Sequence, residues 1–342
     1  MRVAGSGFRV AGSWVLGFAA CIAAAQNPEP NERATRYPLP ATRFLFQNSF
    51  WVNLHHVLDA EAHRRDGRAP LKVRLDELPA AERATWTAAL DAYRGHAQHN
   101  LLFDPALTRI NNALTRVASD APLPDRIDGA DAATRRALAA AASIYRAHYW
   151  TAQRELNDRW IAAVRAMLAE HQQAMIAAME AAYGVRWPRD PIVVDACAEA
   201  PPFGGYTIEG PPGTAGHTVI EADNPEYQGD MAFEMLFHEA SHTRAVGGRV
   251  FTALADESAR QRVEPPRDLF HVIVFYTAGE LARRTLGKIG DADYRPYAYR
   301  YRLYSRGWQG LRDAVVRDWQ PHLDGTATAD AAIAALVRDS AQ

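Results

Sequence analysis

The chain has 342 residues, of which 48% are apolar and 23% charged, so it can bury a sizeable hydrophobic core. Its formal net charge is -2 and it has no block of like charge, which excludes strong electrostatic attraction to nucleic acid or to an acidic membrane surface. The length is compatible with one large domain or with two lobes.

Residues 1–25 have the layout of a secretory signal peptide. Arg2 and Arg9 precede an apolar stretch at residues 14–25, which ends in three alanines before a polar segment. The stretch is shorter than the roughly 20 apolar residues that a membrane span needs. We therefore expect an exported protein, periplasmic or secreted, with no stable membrane span after cleavage. The alternatives are a buried N-terminal helix and a lipoprotein anchored through Cys21.

A helical lobe is predicted at residues 26–185, with helical patterning from about residue 42 onward. Residues 52–65, 78–96 and 101–117 form three predicted helices, separated by turns that contain Pro, Gly or Asn. Residues 130–183 are rich in Ala, Leu, Arg and Glu, which favour helix. This segment therefore predicts two long helices, or one helix with a break.

The pattern changes after residue 185, and residues 186–342 are predicted to form an α+β lobe. Short β-branched segments bounded by Pro and Gly predict three strands, at residues 191–197, 204–208 and 217–221. Helical periodicity then resumes in five segments: residues 230–245, 250–262, 268–286, 307–319 and 328–337. The expected fold class is α+β and mostly helical.

One short motif in the predicted helix at residues 230–245 points to metal chemistry. His238 and His242 are four residues apart, so both imidazoles leave the same face of a helix, one turn apart. Two such nitrogens can bind one zinc ion, and Glu239 between them can accept a proton from water on the metal. This is the HExxH arrangement. The alternative is a pair of hydrogen-bonded core histidines.

A catalytic zinc ion typically needs a third protein ligand. In the extended HExxHxxGxxH pattern that ligand would be at residue 248, but this residue is Gly248. The best remaining candidate is Glu280, because a carboxylate in an apolar, buried helix is costly unless a cation or hydrogen bonds satisfy it. The adjacent Gly279 would permit the close approach of another backbone.

Two alternatives to this third ligand stay open. Glu280 can form ordinary ion pairs with Arg283 or Arg284, which follow it by three and four residues on a helix. Glu257 is the second candidate ligand, although its surroundings in the sequence are more polar.

The HExxH motif followed by a glutamate on a later helix resembles the gluzincin class of zinc metallopeptidases, over about a quarter of the chain. The resemblance implies a zincin-like lobe with a small sheet and an active-site helix. It implies His238, His242 and Glu280 as ligands of Zn²⁺ and Glu239 as the general base. It also implies that a peptide substrate adds to the edge of a strand, for which residues 217–221 have the expected position.

Stabilisation of the negative charge that develops on the substrate needs a hydrogen-bond donor. His271 is one candidate. The others are tyrosines in a cluster near the C-terminus: Tyr294, Tyr297, Tyr299, Tyr301 and Tyr304. Tyrosines at this spacing are more often packing residues that keep the hydroxyl in water.

The sequence thus predicts an exported zinc metallopeptidase with a peptide or protein substrate and no nucleic-acid partner. A zinc hydrolase of a non-protein amide or ester is a second interpretation. A third is an exported helical binding protein that holds a structural metal or none.

Overall fold

The computed structural model describes five stretches of the chain: residues 43–63, 72–96, 100–201, 203–288 and 294–340. The predicted signal peptide and its Cys21 lie outside the described residues, so export stays a prediction.

Five helices dominate the N-terminal half: α1 (Phe50–Ala62), α2 (Ala80–Arg94), α3 (Pro105–Leu114), α4 (Ala132–His148) and α5 (Trp150–Tyr183). All five predicted helices are confirmed, including the break in the alanine-rich segment, which lies at Tyr149. Side-chain oxygens of Ser49, Asp104 and Asp131 accept hydrogen bonds from the first free N–H groups of α1, α3 and α4. These caps fix where three of the helices begin.

The C-terminal half contributes the remaining helices: α6 (Asp230–Ser241), α7 (Gly248–Gln261), α8 (Leu269–Thr285), α9 (Tyr297–Arg300), α10 (Gln309–Asp318), α11 (Gln320–Leu323) and α12 (Ala329–Ser340). Four of the five predicted segments match closely. Helix α6 ends four residues earlier than predicted. The N–H groups of His242 and Thr243 turn back to Glu239 and Ala240, three residues before, and this tighter turn closes the helix.

A small mixed sheet contains four strands in the order β1 (Phe44–Gln47), β2 (Ile192–Cys197), β4 (Gly216–Glu221) and β3 (Gly205–Ile208). Strands β1, β2 and β4 are parallel, and β3 pairs antiparallel with β4 at the edge. The three predicted strands are confirmed. The prediction missed β1, which has only four residues and lies in the segment interpreted as helical. The fold is therefore mostly helical with a small sheet, as the expected α+β class requires.

The sheet separates two hydrophobic cores. Side chains that alternate to one face, among them Val194 and Ile220, pack with α5, α6 and α8. Those on the other face, among them Cys197 and Val219, pack with α1 to α4. Neither core divides at residue 185, because α5 precedes that residue and packs with the C-terminal helices. The predicted division of the chain into two lobes at residue 185 stays a prediction.

A buried polar cluster ties α3 to the sheet. His217 Nε2 is 2.8 Å from Asp195 Oδ2, and its Nδ1 is 2.9 Å from Asn112 Oδ1. The Asn112 amide is oriented by its Nδ2, which donates to the carbonyl of Glu209 at 2.7 Å. Both ring nitrogens of His217 therefore have a hydrogen-bond partner. The side chains of His217 and Asp195 are fully inaccessible to solvent.

The adjacent residues His55 and His56 pack in the same region and do not form a metal site. His55 Nδ1 lies 2.7 Å from the hydroxyl of Tyr93, and His56 bridges the carbonyl of Val52 and the hydroxyl of Tyr206. Both rings are fully buried. Both side chains therefore serve the packing and hydrogen bonding of the core.

Replacing Asp195 by alanine is expected to lower the free energy of unfolding by about 1–3 kcal/mol, because it leaves the buried Nε2 of His217 without its hydrogen-bond partner. Urea denaturation of the two proteins measures the difference. The matched control is Asp190→Ala, which removes an exposed carboxylate and is expected to change stability by no more than about 0.5 kcal/mol. A loss for Asp195→Ala that equals the control would contradict a stabilising role for the buried hydrogen bond between His217 and Asp195.

Candidate metal centre

The two histidines of the HExxH motif lie at the C-terminal end of α6. Their Nε2 atoms face each other at 3.2 Å. Two imidazole nitrogens on a tetrahedral zinc ion, at about 2.1 Å each, are about 3.4 Å apart. His238 is buried, while His242, directly after the last residue of α6, is half-buried. The spacing of four residues thus brings the two imidazoles together on one face of the helix, as predicted.

A third histidine completes the group. His271, in the first turn of α8, presents a ring nitrogen so that one atom from each of His238, His242 and His271 lies within 4.8 Å of the others. Burial lowers the pKa of all three imidazoles, that of His242 to about 4. Neutral imidazole is the form that binds a metal ion. The three side chains therefore fit one zinc ion in number, chemistry and spacing.

Glu280 does not lie in this group, and this corrects the predicted third ligand. Its carboxylate accepts hydrogen bonds from Arg283 at 2.6 and 3.0 Å and from Arg284 at 2.7 Å. It follows His271 by nine residues on α8, which places it about 13.5 Å along the axis and on the opposite face. The alternative of an ordinary ion pair is what the structure shows. The second candidate, Glu257, is paired with Arg260 on α7.

Gly279 is closely approached, but by the side chains of Pro296 and Glu234 rather than by another backbone. A Cβ atom at this position would lie 2.6 Å from the Cβ of Pro296, so any larger residue would collide with the segment that leads into α9. The glycine thus serves packing against Pro296.

Glu239 projects beside the histidines rather than toward them. Its Oε2 accepts a hydrogen bond from Thr207 Oγ1 on β3 at 2.8 Å, and that hydroxyl also lies 2.8 Å from Thr218 Oγ1. Burial raises the pKa of Glu239 to about 7, against the opposing effect of the Thr207 hydrogen bond. A carboxylate with a pKa near neutrality is suited to accept and return a proton.

The histidines and Glu239 open into a large cleft of about 1560 Å³. Small-molecule sites usually occupy about 300–1,000 Å³, so this cleft has room for an extended substrate. Residues of strand β3 line the cleft, together with Thr108 and Arg109 of α3 and residues of the segment 303–308, including Trp308. The N-terminal helices therefore contribute directly to the cleft.

The free strand edge in this cleft belongs to β3, which corrects the assignment of residues 217–221. That strand, β4, lies between β2 and β3 and has no free edge. The N–H of Glu221 donates to the carbonyl of Gly204, so in the antiparallel register alternate residues of β3 bond to β4. The backbone groups of Gly205 and Thr207 then point away from β4, toward the cleft.

Among the tyrosines considered as hydrogen-bond donors, Tyr297 lines the cleft and the others do not. Its hydroxyl donates to Glu226 at 2.6 Å. Its ring stacks on Phe275 with centroids 6.0 Å apart, and Phe275 stacks on His238 at 3.7 Å. Burial raises the pKa of Tyr297 well above its ordinary value, so the hydroxyl keeps its proton. The other former candidate, His271, belongs to the histidine group.

Comparisons of the chain with protein-family models, with curated proteins and with solved structures found no match. In the described part of the chain, none of the helices combines the length and apolar character that crossing a membrane demands. Inference of function therefore depends on the geometry of the chain's own residues.

Proposed function

We propose that the protein is a zinc-dependent hydrolase of the HExxH type that cleaves peptide bonds. The observation that supports it is the group of His238, His242 and His271 within 4.8 Å of one another, with the buried Glu239 beside it. The third ligand in this proposal is a histidine. It differs from the glutamate that the gluzincin resemblance implies, so the proposal keeps the HExxH chemistry and not that class.

Zinc bound by the three histidines would supply a Lewis acid that activates water and polarises a carbonyl group. Glu239 accepts the proton of the attacking water and returns it to the leaving amine. The hydroxyl of Thr207 fixes the Glu239 carboxylate in place through a 2.8 Å hydrogen bond. The base is thereby held against the cleft before substrate binds.

An extended peptide fits the cleft as an additional strand on β3. The outward N–H and C=O groups of Gly205 and Thr207 can pair with its backbone, next to the Glu239 carboxylate. Tyr297, which lines the same cleft, donates a hydrogen bond from its hydroxyl to the carbonyl oxygen as negative charge develops there. This donation requires its hydrogen bond to Glu226 to be exchanged for one to the substrate.

Removal and return of zinc tests the proposal. The purified protein is expected to contain zinc and to cleave members of a peptide library, to lose both after treatment with a chelator, and to recover cleavage when zinc is added. Metal analysis and mass spectrometry of the digest are the measurements. Zinc binding with cleavage of small amides or esters alone would favour the non-protein hydrolase. A protein without metal and without hydrolysis would favour the helical binding protein.

A further inference from the structure

Glu234 is a fully buried carboxylate on α6, one turn before His238. Both of its oxygens lie 3.0 Å from the backbone nitrogen of Tyr297, whose N–H they accept. The hydroxyl of Tyr294 donates to the same carboxylate. None of the steps proposed above uses Glu234, and a buried carboxylate is costly unless hydrogen bonds satisfy it.

The surroundings of Glu234 bring three elements together. A Cβ atom at Gly279 of α8 would lie 2.6 Å from Pro296 and 3.0 Å from Glu234 Oε1. The segment of residues 294–297 therefore fits between α6 and α8 only because residue 279 is glycine. Glu234 is the side chain that bonds this segment to the active-site helix.

The segment ends at the residue that faces the cleft. The N–H of Tyr297 donates to Glu234, its hydroxyl donates to Glu226, and its ring contacts several aromatic side chains, one of which is Phe275. Phe275 in turn stacks on His238. The hydrogen bond that the Tyr297 N–H donates to Glu234 joins the backbone of this residue to α6, the helix that carries His238.

We propose that Glu234 is a positioning residue: it holds the backbone of Tyr297 so that the tyrosine hydroxyl faces the candidate metal centre. The inference rests on the proposed function, because the hydroxyl matters only if a reaction takes place there. A residue that serves stability alone would affect zinc content and substrate binding as much as turnover.

Steady-state kinetics of Glu234→Leu, Glu234→Gln and Tyr297→Phe, on a peptide that the wild type cleaves, tests the proposal. Loss of a donor of this kind costs about 10²–10³-fold in kcat, and we expect Tyr297→Phe and Glu234→Leu to fall in this range with KM and zinc content unchanged. Glu234→Gln is expected to restore most of kcat, since its amide oxygen still accepts the Tyr297 N–H. The double variant Glu234→Leu/Tyr297→Phe is expected to lose no more than Tyr297→Phe alone.

Tyr183→Phe is the matched control, because it removes another buried hydrogen bond to α6, from the Tyr183 hydroxyl to Ser241 Oγ at 3.0 Å. Its kcat is expected to equal that of the wild type. Additive losses in the double variant, or an unchanged kcat in Glu234→Leu, would overturn the proposal.

Hydrogen exchange separates this inference from the proposed function, and its first measurement uses the wild type alone. In the wild type the Tyr297 amide is expected to exchange slowly, and in Glu234→Leu the peptide containing residues 294–301 should exchange faster than in Tyr183→Phe. A fast Tyr297 amide in the wild type would overturn the positioning role even if peptides are cleaved. Slow exchange in a wild type that cleaves nothing would support the hydrogen bond between Tyr297 and Glu234 and would overturn the proposed hydrolase activity.

Discussion

Glu239→Gln is expected to lower kcat by about 10²–10⁴-fold, the usual contribution of a general acid–base residue, while the protein keeps its zinc. The glutamine retains the shape of the side chain and can still accept the hydrogen bond that Thr207 donates at 2.8 Å. It cannot accept a proton from water. Zinc content is unaffected because the three candidate ligands are histidines and Glu239 projects beside them. Peptide cleavage rates and metal analysis of the same preparation provide both numbers.

Glu257→Gln is the control for this experiment. Glu257 was the second candidate ligand in the sequence, but its carboxylate is paired with Arg260 on α7. The variant should therefore match the wild type in zinc content and in kcat. Full activity in Glu239→Gln would exclude the proposed mechanism, and loss of zinc in that variant would mean that the glutamate serves as a ligand.

Local patterns of the sequence predict most of the fold. Helices α4 and α5 follow from composition, and the strands β2, β3 and β4 from β-branched runs between Pro and Gly. Strand β1 could not be predicted, because its four residues are too few to show a period of two and its partner β2 lies about 145 residues later. Pairing of this kind is decided by the whole fold, not by the segment itself.

The order of the strands shows the same limit. Each of β3 and β4 was predicted with its approximate bounds, but the choice of β4 as the free edge was wrong. The edge is β3, since β4 inserts between β2 and β3. Which strand lies outermost depends on how the connections cross the sheet, and a strand's own residues carry little information about it.

The candidate site also has one part that the local sequence predicts and one part that depends on the whole fold. The relation between His238, Glu239 and His242 is local, since four residues of helix fix it. The third ligand is not local. Burial of a carboxylate favoured Glu280, and His271 was considered only as a hydrogen-bond donor, but two arginines one turn away on the same helix satisfy that carboxylate. The packing of α8 against α6 decides which residue of α8 lies near the HExxH motif. That residue is His271, in the first turn of α8.

The zinc affinity of single variants of α8 therefore distinguishes His271 from Glu280 as the third ligand, and the expected difference in affinity is large. His271→Ala removes one of three nitrogen ligands. We expect its zinc affinity to fall by more than the 10–100-fold that loss of an outer-shell partner typically causes, and its hydrolysis to fall below detection. Glu280→Ala is expected to keep its zinc, its activity and most of its stability, because it breaks partly exposed ion pairs, each worth no more than about 1 kcal/mol.

A chelator competition titration measures both affinities, and circular dichroism verifies that each variant is folded. The two variants belong to the same helix, so a general effect on α8 would weaken zinc binding in both. Loss of zinc in Glu280→Ala with retention in His271→Ala would restore the glutamate as the ligand. Because nine residues place the two side chains on opposite faces of α8, one ion cannot bind both while this helix stays intact.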